Sequence, residues 1–349
     1  MKVTELRKKL AELKKDEIIK LAVEFYKLVP KSKKEDNNLD NLIENPNQPK
    51  PTKQKNTPLN WEELEKEINL FITHAKEQYY VYPNKIVSKK ERSTWRFKVK
   101  NWYKILINPK QKDVKPELQI RLLTNLYELL CEACDYVYFS GDNPFQSIQV
   151  EQTVFFKALI VLIQEKIGKT ESVNKGIELI INNPIDRNTL ETYLATELIS
   201  TLQIPDLKQA GIDKVKSMLE KRIEKLHLYQ KELKEKRSKT KKVSHSFTYD
   251  SLEYKMKSKI NDLTLIGLMF YESLYRIKDG ITFYNANYLD TDEIKLYVLV
   301  REIFRDEYRN EIKNEIETAI KNGTEPRKGL LNTLKIINDG EKLPRWLSN

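Results

Sequence analysis

The chain has 349 residues, 40% of them hydrophobic, with nine glycines, two cysteines and a net charge of +11. That length suits two or three domains with a real core, while so little glycine argues against folds that bring backbone against phosphate or turn tightly between many strands. Two cysteines support no disulfide framework, and the longest apolar run, Ala158 to Ile163, is far short of the roughly 18 residues a membrane span requires, so with its charged start the chain is expected to be soluble and cytoplasmic.

In chain order, residues 3 to 29 read as a helical hairpin. Leu6, Leu10 and Leu13 make one apolar stripe. Ile18, Leu21, Ala22, Phe25 and Leu28 make a second, opening after Asp16 as N-cap and stopping at Pro30. Residues 1–30 are too few to bury a core alone, which predicts that they dock on the body or on a protein partner. Residues 31–59 read as a flexible linker: the stretch from 30 to 60 holds five of the thirteen prolines and no aromatic residue.

A helical body follows, with a first half over 60–183 and a second over 184–349. Trp61, Leu64, Ile68, Phe71, Ala75 and Tyr79 keep helical spacing. Ser88 with Glu91 forms a capping box that opens the next helix. Within it Trp95, Val99, Trp102 and Leu106 keep the helical period, although Trp95 to Lys100 also alternates as a strand would. Pro116 starts a third helix, and Asn143, Pro144 and Gln146 start a fourth that Gly168 closes. Further helices are predicted over 171–182, 188–202, 207–237, 250–278, 291–322 and 327–338, with Gly323 ending the long one and Val243 to Tyr249 a loop. The fold class is all-α, a multi-helix bundle or a helical array.

The stretch LRKKLAELKKDEIIKLAVEFYK, Leu6 to Lys27, resembles the Lys/Leu-rich hairpin that opens a group of uncharacterised bacterial proteins of unknown function. Those follow it with a polar linker and an α-helical body, and the likeness reaches over about the first 170 residues. The resemblance implies a bacterial cytosolic protein and carries no activity with it.

Motifs that could carry chemistry are sparse. Gly168-Lys169-Thr170 ends like a phosphate-binding loop, but Ile163 stands where the first Gly belongs and a helix, not a strand, precedes it. Cys131 and Cys134 form a C-x-x-C with no second pair, and the three histidines are scattered, so no metal site and no cofactor is expected. Glu293 and Lys295 with Asp279 have the residue types of a metal-dependent nuclease core, on what reads as a helix rather than the strand such a core needs. Arg222-Ile-Glu-Lys-Leu-His227 resembles the Arg-x4-His signature of the HEPN ribonucleases, which are also all-α. That resemblance implies a metal-independent ribonuclease in which His227 moves a proton from the ribose 2′-hydroxyl and Arg222 steadies the phosphate charge. Ile223 departs from it, since a polar residue usually follows the Arg.

The excess charge is concentrated. Lys85 to Lys104 carries eight basic residues against Glu91, and Lys231 to Lys242 carries seven against Glu232 and Glu235, so the two segments hold +7 and +5 and the rest nets −1. Lys89, Arg92, Arg96, Lys100 and Lys104 recur every three or four residues, beside the apolar stripe of the same helix. Such a stripe suits a phosphate backbone, with Phe97 and Tyr103 placed to stack on an unpaired base. Lys236, Arg237, Lys239, Lys241 and Lys242 offer a second contact. The competing reading is a solvated lysine-rich face. The sequence therefore predicts a binding or adaptor protein rather than an enzyme, with nucleic acid as first partner and an acidic protein as second. The ribonuclease, and a subunit docked in a larger assembly through residues 1–30, are the alternatives.

Overall fold

The computed structural model describes residues 3–30, 33–34, 39–44, 60–108, 115–141, 143–239 and 251–344. Among them the regular elements are helical and no strand occurs, so the all-α expectation holds and Trp95 to Lys100 is helix. The chain divides into two compact units, residues 1–60 and 61–349.

In the first unit α1 spans Val3–Ala11 and α2 spans Lys15–Leu28. The N-cap of α2 is Lys14 rather than Asp16. The Glu17 carboxylate accepts the Lys14 backbone N–H at 2.8 Å, which places Asp16 inside the first turn, where its charge still suits the helix dipole. None of the side chains of α2 is buried; Ile19, Phe25 and Leu28 are exposed. The expected linker contains a further short helix, α3, at Leu39–Glu44. Its Asp40 carboxylate accepts from the Tyr26 hydroxyl, and the Lys34 ammonium lies 4.0 Å from the centre of the Tyr26 ring. Most of 31–59 lies outside the described residues, as does the predicted loop from Val243 to Tyr249.

The second unit contains α4 (Trp61–Lys76), α5 (Lys89–Arg92), α6 (Trp95–Leu106), α7 (Pro116–Asp135), α8 (Pro144–Ile148), α9 (Gln152–Lys166), α10 (Lys169–Asn182), α11 (Glu191–Ser200), α12 (Pro205–Lys239), α13 (Ser251–Ser273), α14 (Ile277–Asn287), α15 (Asp292–Glu302), α16 (Arg309–Lys321) and α17 (Lys328–Asn338). Packing runs along the chain: α4 and α6 lie on α7, α7 on α9, and α9 on α10 and α11. α10 and α11 pack in turn on the long pair α12 and α13, and α14 to α17 extend the row. Helices on either side of residue 183 thus belong to one unit.

Four expected helices are broken. The Ser88 hydroxyl accepts the Glu91 N–H at 3.3 Å, but the helix it caps is only α5; Ser93 and Thr94 form a turn, and α6 starts anew at Trp95. The helix expected from Asn143 to Gly168 splits into α8 and α9 because Gln149 takes a left-handed φ of 57°. Tyr275, also at φ 57°, ends the helix expected over 250–278 and separates α13 from α14. The helix expected over 291–322 becomes α15, a 3-10 turn at Asp306–Tyr308, and α16. The last break has a packing cause. Ile303 and Ile312 are both buried in one core cluster with Tyr284, Leu299 and Leu330. Nine residues are two and a half turns of an unbroken helix, which would put these two side chains on opposite faces. The turn returns them to the same side.

Candidate functional site

The basic segment rests on an aromatic floor. Trp95, Val99, Trp102, Tyr103 and Leu106 of α6 are buried. Trp95 stacks on Phe139 with ring centres 3.8 Å apart and planes 13° from parallel. Phe71 of α4 meets Trp102 edge-on at 5.2 Å and also packs against Tyr80 and Phe139. Rings of this size bury roughly 150–250 Å² each and dominate local packing. Together they clamp the loop after α7 against α6.

That clamp makes a cleft of about 550 Å³. α5 contributes Lys89 and Arg92, the turn after it Ser93, and α6 Trp95 and Arg96. Ser140 and Gly141 come from the clamped loop, Ser147 comes from α8, and Tyr82, 81% exposed, completes the lining. Among the described residues no carboxylate lines the cleft, and Lys89, Arg92 and Arg96 are in no ion pair. Glu91, the one acid in this segment, is occupied at its own helix start, where the Ser88 hydroxyl donates to Oε2 at 2.8 Å.

The five cations of the predicted stripe are not equivalent. Lys89, Arg96 and Lys104 are exposed. Arg96 lies 4.9 Å from the centre of the Phe97 ring, which is itself 62% exposed. Arg92 is half-buried: its Nε donates to the Val87 carbonyl at 2.9 Å and its Nη2 to the Asn84 carbonyl, fixing the preceding loop. Lys100 is also half-buried and donates to Gln149 Oε1 at 2.6 Å. Tyr103 is buried at 7% exposure against Phe155, so it does not stack on a base, and that expectation is corrected. Lys236, Arg237 and Lys239 belong to the end of α12, while Lys241 and Lys242 lie outside the described residues.

Arg222 and His227 are not brought together within the chain. Arg222 is half-buried and donates to Asn182 Oδ1 at 2.7 Å. His227 is exposed, in a shallow groove lined by Glu220, Ile223, Glu224, Leu228 and Lys231. Five residues along a helix turn the two side chains well away from each other. The other motifs are equally occupied. Burial pushes the Cys131 thiol strongly up and the Cys134 thiol up to about 12, so both stay protonated and unreactive. Gly168, at φ +143°, donates its N–H to the Ile163 carbonyl at 3.1 Å and closes α9. Glu293 is paired with Arg327, Lys295 donates to the Asn285 carbonyl, and Asp279 pairs with Arg276 at 2.8 Å. Among the described residues no cluster of three or more His, Cys, Asp or Glu could hold a metal ion.

Sequence reasoning missed one titratable centre. Asp262 of α13 lies at a larger cavity, about 890 Å³, together with Glu253, Lys257, Asn261, Tyr288 and Asp290. Desolvation, followed by the nearby Glu191 charge, pushes its carboxyl up to about 7, against the opposing pull of Lys259 and Arg222. Lys259 Nζ stands 4.0 Å from Asp262 and 3.6 Å from Glu191. No spacing in the sequence joins α11, α12 and α13 at this point, and only the packing does. No family model, curated protein or solved structure matches the chain. No helix among the described residues is long and apolar enough to cross a membrane.

Proposed function

We propose that the protein binds nucleic acid through the face formed by α5 and α6, as a binding or adaptor protein rather than an enzyme. One observation supports this reading above the others: Lys89, Arg92 and Arg96 line a single cleft in which, among the described residues, no carboxylate takes part, whereas Lys76, Lys157 and Lys214 are each paired with an acid. Buried or paired cations serve stability, whereas unpaired, converging cations serve an anionic ligand. Exposed Phe97 and Tyr82 supply rings on which a base can lie.

The test is fluorescence anisotropy at low salt with a single-stranded RNA, a single-stranded DNA and a duplex. The substitutions are Lys89→Glu, Arg96→Glu and Lys104→Glu, which touch exposed side chains and spare the structural bonds of Arg92 and Lys100. Binding should weaken by about a hundredfold or more, as expected for three lost phosphate contacts with added repulsion, while the circular dichroism spectrum stays helical. Affinity that survives the triple reversal overturns the reading. So does a wild-type protein that binds polyglutamate but none of the nucleic acids, which would favour an acidic protein partner.

A further inference from the structure

Within the nucleic-acid reading, the shape of the cleft says which part of a strand it takes. We infer that it receives the phosphorylated end of a strand, a terminal phosphomonoester, rather than a stretch of backbone passing through. The inference rests on the proposed nucleic-acid binding, and it names the moiety that the site prefers.

The cleft is walled by segments from four places in the chain: the loop at Tyr82, α5 with the start of α6, the loop at Ser140 and Gly141, and Ser147 of α8. A volume of about 550 Å³ lies within the range of small-molecule sites, enough for one nucleotide but not for a run of them. A terminal phosphomonoester carries close to two negative charges at neutral pH, against one for each backbone diester. Lys89, Arg92 and Arg96 bring three positive charges to the lining of this one cleft. Concentrated charge of that kind favours the dianion.

The donors suit the same ligand. Arg92 spends its Nε–H and one Nη2–H on the Val87 and Asn84 carbonyls, so its guanidinium is already held in place at the cleft wall and three of its N–H groups are not committed to these bonds. A fork held in this way loses little freedom on binding and can grip two phosphate oxygens at once. Ser93 and Ser140 donate to the Lys90 and Tyr80 carbonyls at only 3.4 and 3.5 Å, the long edge for a hydroxyl bond. Both protons can therefore turn to a bound oxyanion, whereas Ser147, at 2.9 Å from the Asn143 carbonyl, is committed. Tyr82 stands exposed at the rim, where the base joined to the terminal phosphate would lie.

The experiment uses one short single-stranded RNA and one DNA of matched sequence, each made with a 5′-phosphate, with a 3′-phosphate, and with hydroxyls at both ends. Affinity is read by anisotropy from a label placed mid-strand. A phosphorylated end should tighten binding by about tenfold or more over the hydroxyl form, from the added charge-assisted bonds, and the better polarity identifies the source of the phosphate. Lys89→Gln and Arg96→Gln should erase that preference, and Tyr82→Ala should reduce it. Lys104→Gln, which lies outside the cleft, should weaken all three forms alike. Equal, salt-sensitive affinity for all three forms overturns the inference and leaves nucleic-acid binding standing. An end preference that survives both glutamine substitutions places the phosphate elsewhere and also overturns it. Absence of affinity for every oligonucleotide removes both readings together.

Discussion

At the scale of single residues, Asp262 is a carboxyl whose environment carries its ionisation to near neutral pH. Its carboxyl is raised from an ordinary value of 3.8 to about 7, chiefly because burial desolvates it and Glu191 repels it. A raised acid costs stability wherever the unfolded chain is ionised and the folded one resists ionisation. Below about pH 4 both forms hold the proton and there is no cost. The cost grows as pH rises from about 4 to 7 and is constant above that. Asp262→Asn resembles the protonated acid at every pH, so the variant should match the wild type near pH 4 and melt higher than it at pH 8. The gap should open across this window, reaching a few kcal/mol in order of magnitude. Thermal melts of both proteins in half-unit steps from pH 4 to 8 provide the check. A gap independent of pH would mean that Asp262 ionises normally and that its neighbours, Lys259 and Arg222, balance its burial.

At the scale of elements, the packing of α13 against α12 and α14 depends on two glycines that a propensity reading counts only as weak points. The two helices run antiparallel, with Gly211 facing Phe270, Val215 facing Gly267 and Gln230 donating to Glu253 at 2.8 Å. A methyl at Gly211 would lie 2.3 Å from the Phe270 ring, and one at Gly267 would lie 2.3 Å from the Phe283 ring. Neither ring can yield cheaply, since Phe270 is fully buried and Phe283 nearly so. Although Gly→Ala ordinarily favours a helix, Gly267→Ala should destabilise the body by about 1–3 kcal/mol from overpacking. Chemical denaturation reads this directly, with Gly329→Ala, where a methyl meets nothing within 4 Å, as the control expected to be neutral or stabilising. The same scale shows what could be read without coordinates. Helix starts were legible because Ser88, Asn143 and Thr291 each accept the N–H three residues on. Glycine ends were legible as well, at Gly323 with φ +85°. The breaks at Gln149, Tyr275 and Arg305 were not, because no glycine or proline marks them; at Arg305 the gathering of Ile303 and Ile312 into one core cluster accompanies the break. The candidate site divides in the same way. Its cations lie close together in sequence, but Tyr82, Ser140 and Ser147 join them only in the folded chain, through the stacking of Trp95 on Phe139 and the bonds of Arg92 to the Val87 and Asn84 carbonyls.

At the scale of the whole molecule, charge is distributed unevenly between pairing and exposure. Lys76, Lys157 and Lys214 are paired with Glu132, Glu197 and Glu178 at 2.6 to 2.8 Å, and the chain apart from its two basic segments nets −1. A ligand held by the α5 and α6 face should therefore report the number of cations there rather than the total of +11. Counterion release makes that number measurable: log affinity falls with log salt by about 0.9 per phosphate contact on duplex DNA and about 0.7 on a single strand. Neutral substitutions are better suited than reversals here, since they delete contacts without adding repulsion. Replacing Lys89, Arg96 and Lys104 together with glutamine should lower the slope by about 2 on single strands and about 3 on duplex. An acidic polypeptide, which lacks the dense condensed ion layer of a nucleic acid, should show a smaller slope and a smaller change. Titrations at four salt concentrations between 50 and 200 mM, for wild type and the triple variant, determine both slopes. A nucleic-acid slope that the triple glutamine variant leaves intact would show that other cations carry the contact. The segment from Lys231 to Lys242, with seven basic residues against two acids, would then be the next to neutralise.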